Sequence, residues 1–322
     1  MIDTRPMIEL RHLHRYFGNT RAVDDVSFAV HRGQVFGYIG PNGAGKTTSM
    51  RILASLDLPT AGDATIDGFS VVNDPDRVRH RLGFMPDYYG TYSNVNVYEY
   101  LDFFARAYQL RGSRRVDAVD RVMDFTGLDV LADKPTDGLS KGMKQRLCLG
   151  RALIHDPAVL VLDEPAAGLD PRARIEVRQM IRSLADNGKT ILISSHILTE
   201  LAEICDVVGI IERGKLLAMG SVEAIQQQAQ EKAASGAGIS NAVEVRVLGG
   251  AKALGQWLAE QPEVSQLQVN GEAVRFLHAG NLEAEADLLR AMIEAGFRVV
   301  AFGSKRQTLE DVFMQVTQGL VQ

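Results

Sequence analysis

Cysteine is nearly missing from this 322-residue chain: only Cys148 and Cys205 occur. Two cysteines make no disulfide framework, so a covalently stapled secreted scaffold is excluded and a reducing, cytosolic setting fits. An excess of positive charge is missing too. The 35 Lys and Arg stand against 40 Asp and Glu, for a net charge of −5. Proteins that bind nucleic acid through its phosphates carry the opposite balance, so no nucleic-acid partner is expected. No window holds the roughly eighteen apolar residues that span a bilayer. The opening MIDTRPMIEL lacks the basic-then-apolar pattern of an export signal. The chain is therefore expected to be soluble, or to meet a membrane only through a partner. There is no internal repeat and no low-complexity segment.

What is present is a core and an alternation. Apolar residues make up 46% of the chain, enough for a sizeable interior. IELRHL, VSFAV and QVFGYIG read as strands, the last two joined by a turn at His31–Gly33. TTSMRILASL is a helical run and ATIDG a strand entering a turn. Val97, Leu101, Phe104 and Tyr108 recur at helical spacing in NVYEYLDFFARAYQL, with Leu101 and Phe104 expected in the core. Arg111, Arg114 and Arg115 read as a solvated loop. SKGMKQRLCLGRALIH is a helix stopped by Asp156-Pro157, and PRARIEVRQMIRSLADNG one with a Gly stop. AVLVLDEP and TILISSH are apolar throughout, as buried strands are. ILTELAEICD follows as a helix and VVGIIERGKLLAMG as a hairpin. Such alternation implies an α/β fold around a parallel sheet covered on both faces.

The composition changes at QQQAQEKAASGAGISN, which is polar, small and Gly-rich and reads as a linker over 226–241. Beyond it the order strand, helix, strand, strand, helix, strand is the split βαβ of a small ferredoxin-like α+β domain. TLEDVFMQVTQGL reads as a closing helix. The expected domains are 1–225, the linker, and 242–322.

Gly40-Pro41-Asn42-Gly43-Ala44-Gly45-Lys46-Thr47 fits G-x-x-x-x-G-K-[ST], after a strand and opening a helix at Thr47 and Thr48. Backbone N–H groups and a helix N-terminus cradle phosphates there. Lys46 reaches the β and γ phosphates and the Thr47 hydroxyl binds Mg²⁺. Asp163 ends a buried strand, where it holds the metal through water. Glu164 follows, placed to orient or deprotonate an attacking water. His196 ends another apolar strand on the same edge of the sheet, where ligands of α/β proteins sit.

A second element, LSKGMKQR at 139–146, looks like another phosphate site: Ser140 caps a helix, Gly142 allows close approach and basic residues follow. With these motifs in order, residues 7–225 resemble the ATP-binding subunit of ABC transporters, a P-loop NTPase core with a helical subdomain at about 88–156. GPNGAGKTT resembles the Walker A loop, VLVLDEP Walker B with its catalytic glutamate, AAGLD the D-loop ending at Asp170, SSH the switch histidine, and LSKGMKQR the signature motif. The resemblance implies a head-to-tail dimer, with a second copy or a related ATPase subunit. In it Ser140, Lys141, Gly142, Met143 and Asp170 contact the nucleotide held by the partner. Lys141 and Met143 depart from the usual L-S-G-G-Q.

YFGNT resembles the adenine-stacking A-loop, with Phe17 the better match and Tyr16 the alternate. Such stacking tolerates different bases. GFMPDYYGTY resembles the Q-loop, with Asp87 in place of glutamine. A carboxylate there is repelled by phosphate unless Mg²⁺ lies between, so Asp87 is expected to serve the metal. Tyr88, Tyr89, Tyr92, Phe103 and Phe104 follow, where the family receives a membrane subunit. The C-terminal region is similar to that of exporter subunits with separately encoded permeases. The implied function is ATP hydrolysis that energises an exporter at the cytoplasmic face of the cell membrane, with ATP and Mg²⁺ bound and an integral membrane permease on another chain. The alternative is a non-transport member acting on ribosomes or DNA, although the long insertions or second cassette usual in those are not seen.

Overall fold

The computed structural model describes residues 5–88, 90, 92, 94–195, 198–225 and 241–305. His196, Tyr89, nearly all of the 226–241 segment and the closing helix TLEDVFMQVTQGL lie outside the described residues. The chain divides into two compact units between Val222 and Glu223.

The first unit begins with β1 (Ile8–Phe17), β2 (Thr20–Val30) and β3 (Val35–Ile39), then α1 (Lys46–Leu53), β4 (Ala61–Ile66) and β5 (Phe69–Ser70). It continues with α2 (Pro75–Arg81), β6 (Leu82–Met85), α3 (Val97–Ala107), α4 (Gly112–Thr126) and α5 (Lys141–Leu153). β7 (Val159–Asp163), α6 (Pro171–Asp186), β8 (Thr190–Ser195), α7 (Leu198–Ile204), β9 (Val207–Glu212) and β10 (Lys215–Gly220) complete it. β1, β2, β4 and β5 form an antiparallel sheet in the order β2-β1-β4-β5. The second sheet runs β10-β9-β3-β8-β7-β6, parallel from β6 to β9, with β10 antiparallel at its edge. β3, β7 and β8 are buried at every position, as strands covered on both faces must be. β10 alternates exposed and half-buried residues, the pattern of an edge. Phe28 and Phe36 stack at 4.7 Å in the core between the two sheets.

Two elements escape the sequence pattern. VRHRLGFMP divides into the end of α2 and β6, which pairs with β7 and becomes the far edge of the parallel sheet. α2 starts with Pro75, whose fixed φ suits the first helical position. The arginine segment is also not a loop. Arg111 sits at the N-cap of α4, and Arg114 and Arg115 lie in its first turn. The buried face of α4 is Ala118, Val119, Val122, Met123 and Thr126, and Gly127 ends it in the left-handed region. Arg115 ties it to α3 through Asp102 at 2.8 Å. α3 opens with a capping box between Asn96 and Glu99. Leu101 is buried, whereas Phe104 is only half-buried.

The second unit holds β11 (Asn241–Val247), α8 (Ala251–Ala259), β12 (Val264–Asn270), β13 (Ala273–His278), α9 (Leu282–Glu294) and β14 (Val299–Lys305). Its antiparallel sheet has the order β12-β13-β11-β14. The two helical crossovers each skip one strand, which is the ferredoxin-like arrangement. Val243, Val245 and Val247 alternate onto the face covered by Leu254, Leu258, Leu288 and Met292.

Candidate active site

Register brings the chemistry to one edge. In the parallel ladder Ile39 pairs with Ser195, and Asp163 with Ser194, so the chain leaves β3, β7 and β8 at the same level. After Ile39 the main chain turns through Gly43 and through Gly45 at φ 103° before α1 begins. Only glycine fits at two points. A Cβ on Gly45 would lie 2.2 Å from the Ala22 carbonyl oxygen, and one on Gly40 2.3 Å from that of Ile211. No side chain caps α1, and a helix start without a side-chain cap is a ready anion site. The Lys46 ammonium is buried and donates to the carbonyls of Gly40 at 2.6 Å and Pro41 at 3.2 Å. Burial lowers its pKa, opposed in part by Glu164 and Asp163. A desolvated ammonium of this kind gains strongly from an arriving negative group.

Asp163 is buried at the end of β7. Its Oδ1 accepts from Ser194 Oγ at 2.6 Å, while Oδ2 is buried without a hydrogen-bond partner. An orphaned carboxylate oxygen beside a phosphate cradle suits a hard divalent cation. Among the described residues no cluster of three or more His, Cys, Asp or Glu could cage a metal. Mg²⁺ would need no such cluster, because that ion is usually held by one or two protein carboxylates together with substrate phosphates. Ser194 does a second job: its Oγ accepts from the Glu164 backbone N–H at 2.9 Å. Glu164 lies at φ 50°, a left-handed conformation costing a non-glycine residue roughly 1–2 kcal/mol. Buried Gln145, from α5, donates to the Glu164 carbonyl at 3.4 Å. Sequence reasoning gave Ser194 and Gln145 no role. Ser194 sits inside an apolar run and shows its function only through strand register.

A cleft of about 400 Å³ gathers Phe17, Thr20, Ala22, Asn42 to Thr48, Asp87 and Glu164. Phe17 is half exposed there. Tyr16 is not among the lining residues: β-strand alternation turns it to the other face, where its hydroxyl donates to Asp24 at 3.1 Å. Gly40, Pro41 and Asp163 are not among the lining residues.

Ser140, Lys141, Gly142, Met143 and Asp170 line a different cavity of about 520 Å³. The two cavities share no residue. Ser140 caps α5, its Oγ accepting from Met143 N–H at 3.3 Å. Asp170 caps α6, accepting from Ala173 N–H at 3.0 Å, and that bond holds its carboxyl below the usual range. A Cβ on Gly142 would make only ordinary contact, 3.5 Å from Ala173 Cβ. The Lys141 ammonium lies against Gly168, where a Cβ would approach it to 2.2 Å.

Residues 23–167 match the ABC transporter family, and residues 220–317 match the C-terminal domain of DrrA1-3-like ATP-binding proteins. The probable multidrug ABC transporter ATP-binding protein YbhF of Escherichia coli (strain K12) is 39% identical over 222 residues, 69% of this chain. The chain spans 38% of that relative's length. The Nod factor export ATP-binding protein I of Rhizobium sp. (strain N33) is 33% identical over 312 residues, 96% of each chain.

The chain belongs to the ABC transporter ATP-binding proteins.

Among solved structures, an ATP-binding subunit of an ABC transporter is 28% identical and superposes with a TM-score of 0.64 over 69% of this chain and 92% of its own. The first unit of this ABC protein therefore has the P-loop NTPase fold with the phosphate cradle at the ends of β3, β7 and β8. Among the described residues no helix is long and apolar enough to cross a membrane.

Proposed function

We propose that this ABC protein hydrolyses ATP at the interface of a head-to-tail pair and thereby energises an exporter whose permease is a separate chain. The observation that carries the reading is the disjunction of the two cavities. One has the phosphate loop, the acids and an aromatic ring. The other has a capped helix start with Gly142 beside it and shares neither the phosphate loop nor Glu164. Each supplies what the other lacks, and two chains facing each other complete two sites.

In this reading the loop 40–47 and Lys46 bind the phosphates, Phe17 takes the base, and Glu164 orients the attacking water and accepts its proton. Thr47 and Asp163 hold Mg²⁺, with Asp87 alongside. When bound, Mg²⁺ neutralises charge on the phosphate oxygens. His196, which lies outside the described residues, keeps the catalytic role that the resemblance implies. Ser140, Lys141, Gly142, Met143 and Asp170 close over the partner's nucleotide. Residues 1–225 are assigned to the ATPase domain and 242–322 to an accessory domain after the 226–241 linker. The match of residues 220–317 to a DrrA1-3-like domain and the export named in the Rhizobium relative support export. Exposed Tyr88, Tyr92 and Phe103 offer a docking surface for the permease, which would hold the protein at the cytoplasmic face of the membrane.

The test is purification of tagged Glu164→Gln from detergent-solubilised membranes with Mg-ATP. A stoichiometric multi-spanning protein and a nucleotide-dependent dimer are expected. Ribosomes or DNA in its place, with no membrane protein, overturn the reading.

A further inference from the structure

Residues 15 and 17 point to the same face of β1, because side chains alternate along a strand. The Arg15 guanidinium lies over the Phe17 ring, 4.3 Å from its centroid. Arg15 does not line the cleft that Phe17 lines. Its side chain is 24% exposed, and it is held from behind by Asp57, with Nη2 to Oδ1 at 2.8 Å. Asp57 is itself fixed, its Oδ1 accepting from Leu58 N–H at 2.9 Å. The turn it belongs to is pinned along β1: Thr60 N–H donates to His14 O at 2.7 Å, and Tyr16 N–H to Thr60 Oγ1 at 3.0 Å. That turn follows directly on α1, the helix that carries the phosphate loop.

We propose that Arg15 is a positioning residue for nucleotide recognition: braced by Asp57, it backs the Phe17 ring and fixes the base platform at a set distance from the phosphate cradle. The inference rests on the assignment of Phe17 to the base and extends it. A half-exposed phenylalanine on an edge hairpin is free to change rotamer. A planar cation on its far face removes that freedom, by attraction to the ring and by occupying the space behind it. Lysine offers the charge without the plate. Because Asp57 hangs from the end of α1, the platform is referenced to the phosphate loop rather than to the hairpin alone.

The experiment is equilibrium titration of the full chain with two probes, Mg-ATP and inorganic tripolyphosphate, which has phosphates but no base. Arg15→Ala is expected to weaken ATP binding by about 3- to 10-fold and to raise KM accordingly. Tripolyphosphate should stay at the wild-type value. Arg15→Lys should fall between, and Asp57→Asn should move in the same direction as Arg15→Ala by less, which keeps the test open if the alanine variant folds poorly. Parallel loss of both probes overturns the proposal, because Arg15 would then act on phosphate charge or on the fold. So does an unchanged ATP affinity in Arg15→Ala while Phe17→Ala binds ATP more weakly. If Phe17→Ala also leaves ATP unaffected relative to tripolyphosphate, the failure lies with the base-platform assignment itself.

Discussion

The two cavities of the first unit both end at a helix N-terminus, and they are built in opposite ways. At the phosphate loop the backbone is forced: Gly40 and Gly45 have carbonyl oxygens where a side chain would begin, and α1 has no side-chain cap. At the second cavity Gly127 and Gly168 lie in the left-handed region, but nothing in its own surroundings demands glycine at 142. Gly142 sits inside α5 with room for a methyl group, and Ser140 already serves the Met143 N–H. The first site is finished by its own chain. The second has a small residue for which its own chain gives no reason, and the proposed head-to-tail pairing would supply one.

That contrast is sharpest for the reaction itself. Glu164→Gln removes the proposed base from the first cavity and leaves the second intact, so turnover should fall roughly 10²- to 10⁴-fold while ATP-dependent pairing persists in gel filtration. Loss of pairing together with turnover would break the division of labour. Gly45→Ala attacks the cradle. With a Cβ 2.2 Å from Ala22 O and φ at 103°, it should cost about 3 kcal/mol of stability and abolish ATP binding, read by thermal denaturation with and without nucleotide. Ser194→Ala unseats both acids without touching the nucleotide. About a 10- to 100-fold drop in kcat at nearly constant ATP affinity is expected, the size usual for residues that orient first-contact groups. Gly142→Ala is the discriminating variant. Alanine favours a helix over glycine by about 0.5–1 kcal/mol, so melting temperature should hold or rise, yet ATPase activity should fall roughly 10-fold as the approach of the partner's nucleotide is blocked. Full activity in this variant would remove the case for a trans contact at Gly142. The smallest effect is assigned to Asp87→Gln, where the Mg²⁺ concentration for half-maximal hydrolysis should shift by a few-fold. An unchanged Mg²⁺ dependence would place Asp87 outside the metal site.

How much of this was legible beforehand follows from where each signal resides. The phosphate loop at 40–47 and the acid pair at 163–164 are each a short contiguous run at the end of an apolar strand, so each is legible from its own stretch of sequence. The ferredoxin-like order of the second unit was readable from its succession of strand-like and helical runs. Ser194 was not, because its two hydrogen bonds reach Asp163 and Glu164 across a strand register that no local pattern encodes. Nothing in LSKGMKQR itself gives Gln145 a role, because its contact lies 19 residues away. α4 was missed because its first turn is polar and basic, and its buried positions begin only at Ala118. β6 is four residues long, too short for periodicity to register. Phe17 is the better sequence match and Tyr16 the alternate, and it is Phe17 that lines the cleft.

The steric walls around the phosphate loop are made of main chain. Ala22 O and Ile211 O are present whatever side chains occupy those positions. Substitutions at residues 22 and 211 can change volume and polarity without removing the atoms that dictate the loop's path. The cradle is therefore insulated from sequence drift in its surroundings, and two chains that have lost most of their side-chain identity can still present the same ring of amides to a phosphate. Mutational robustness of this kind belongs to the backbone topology rather than to any residue that an alignment would score.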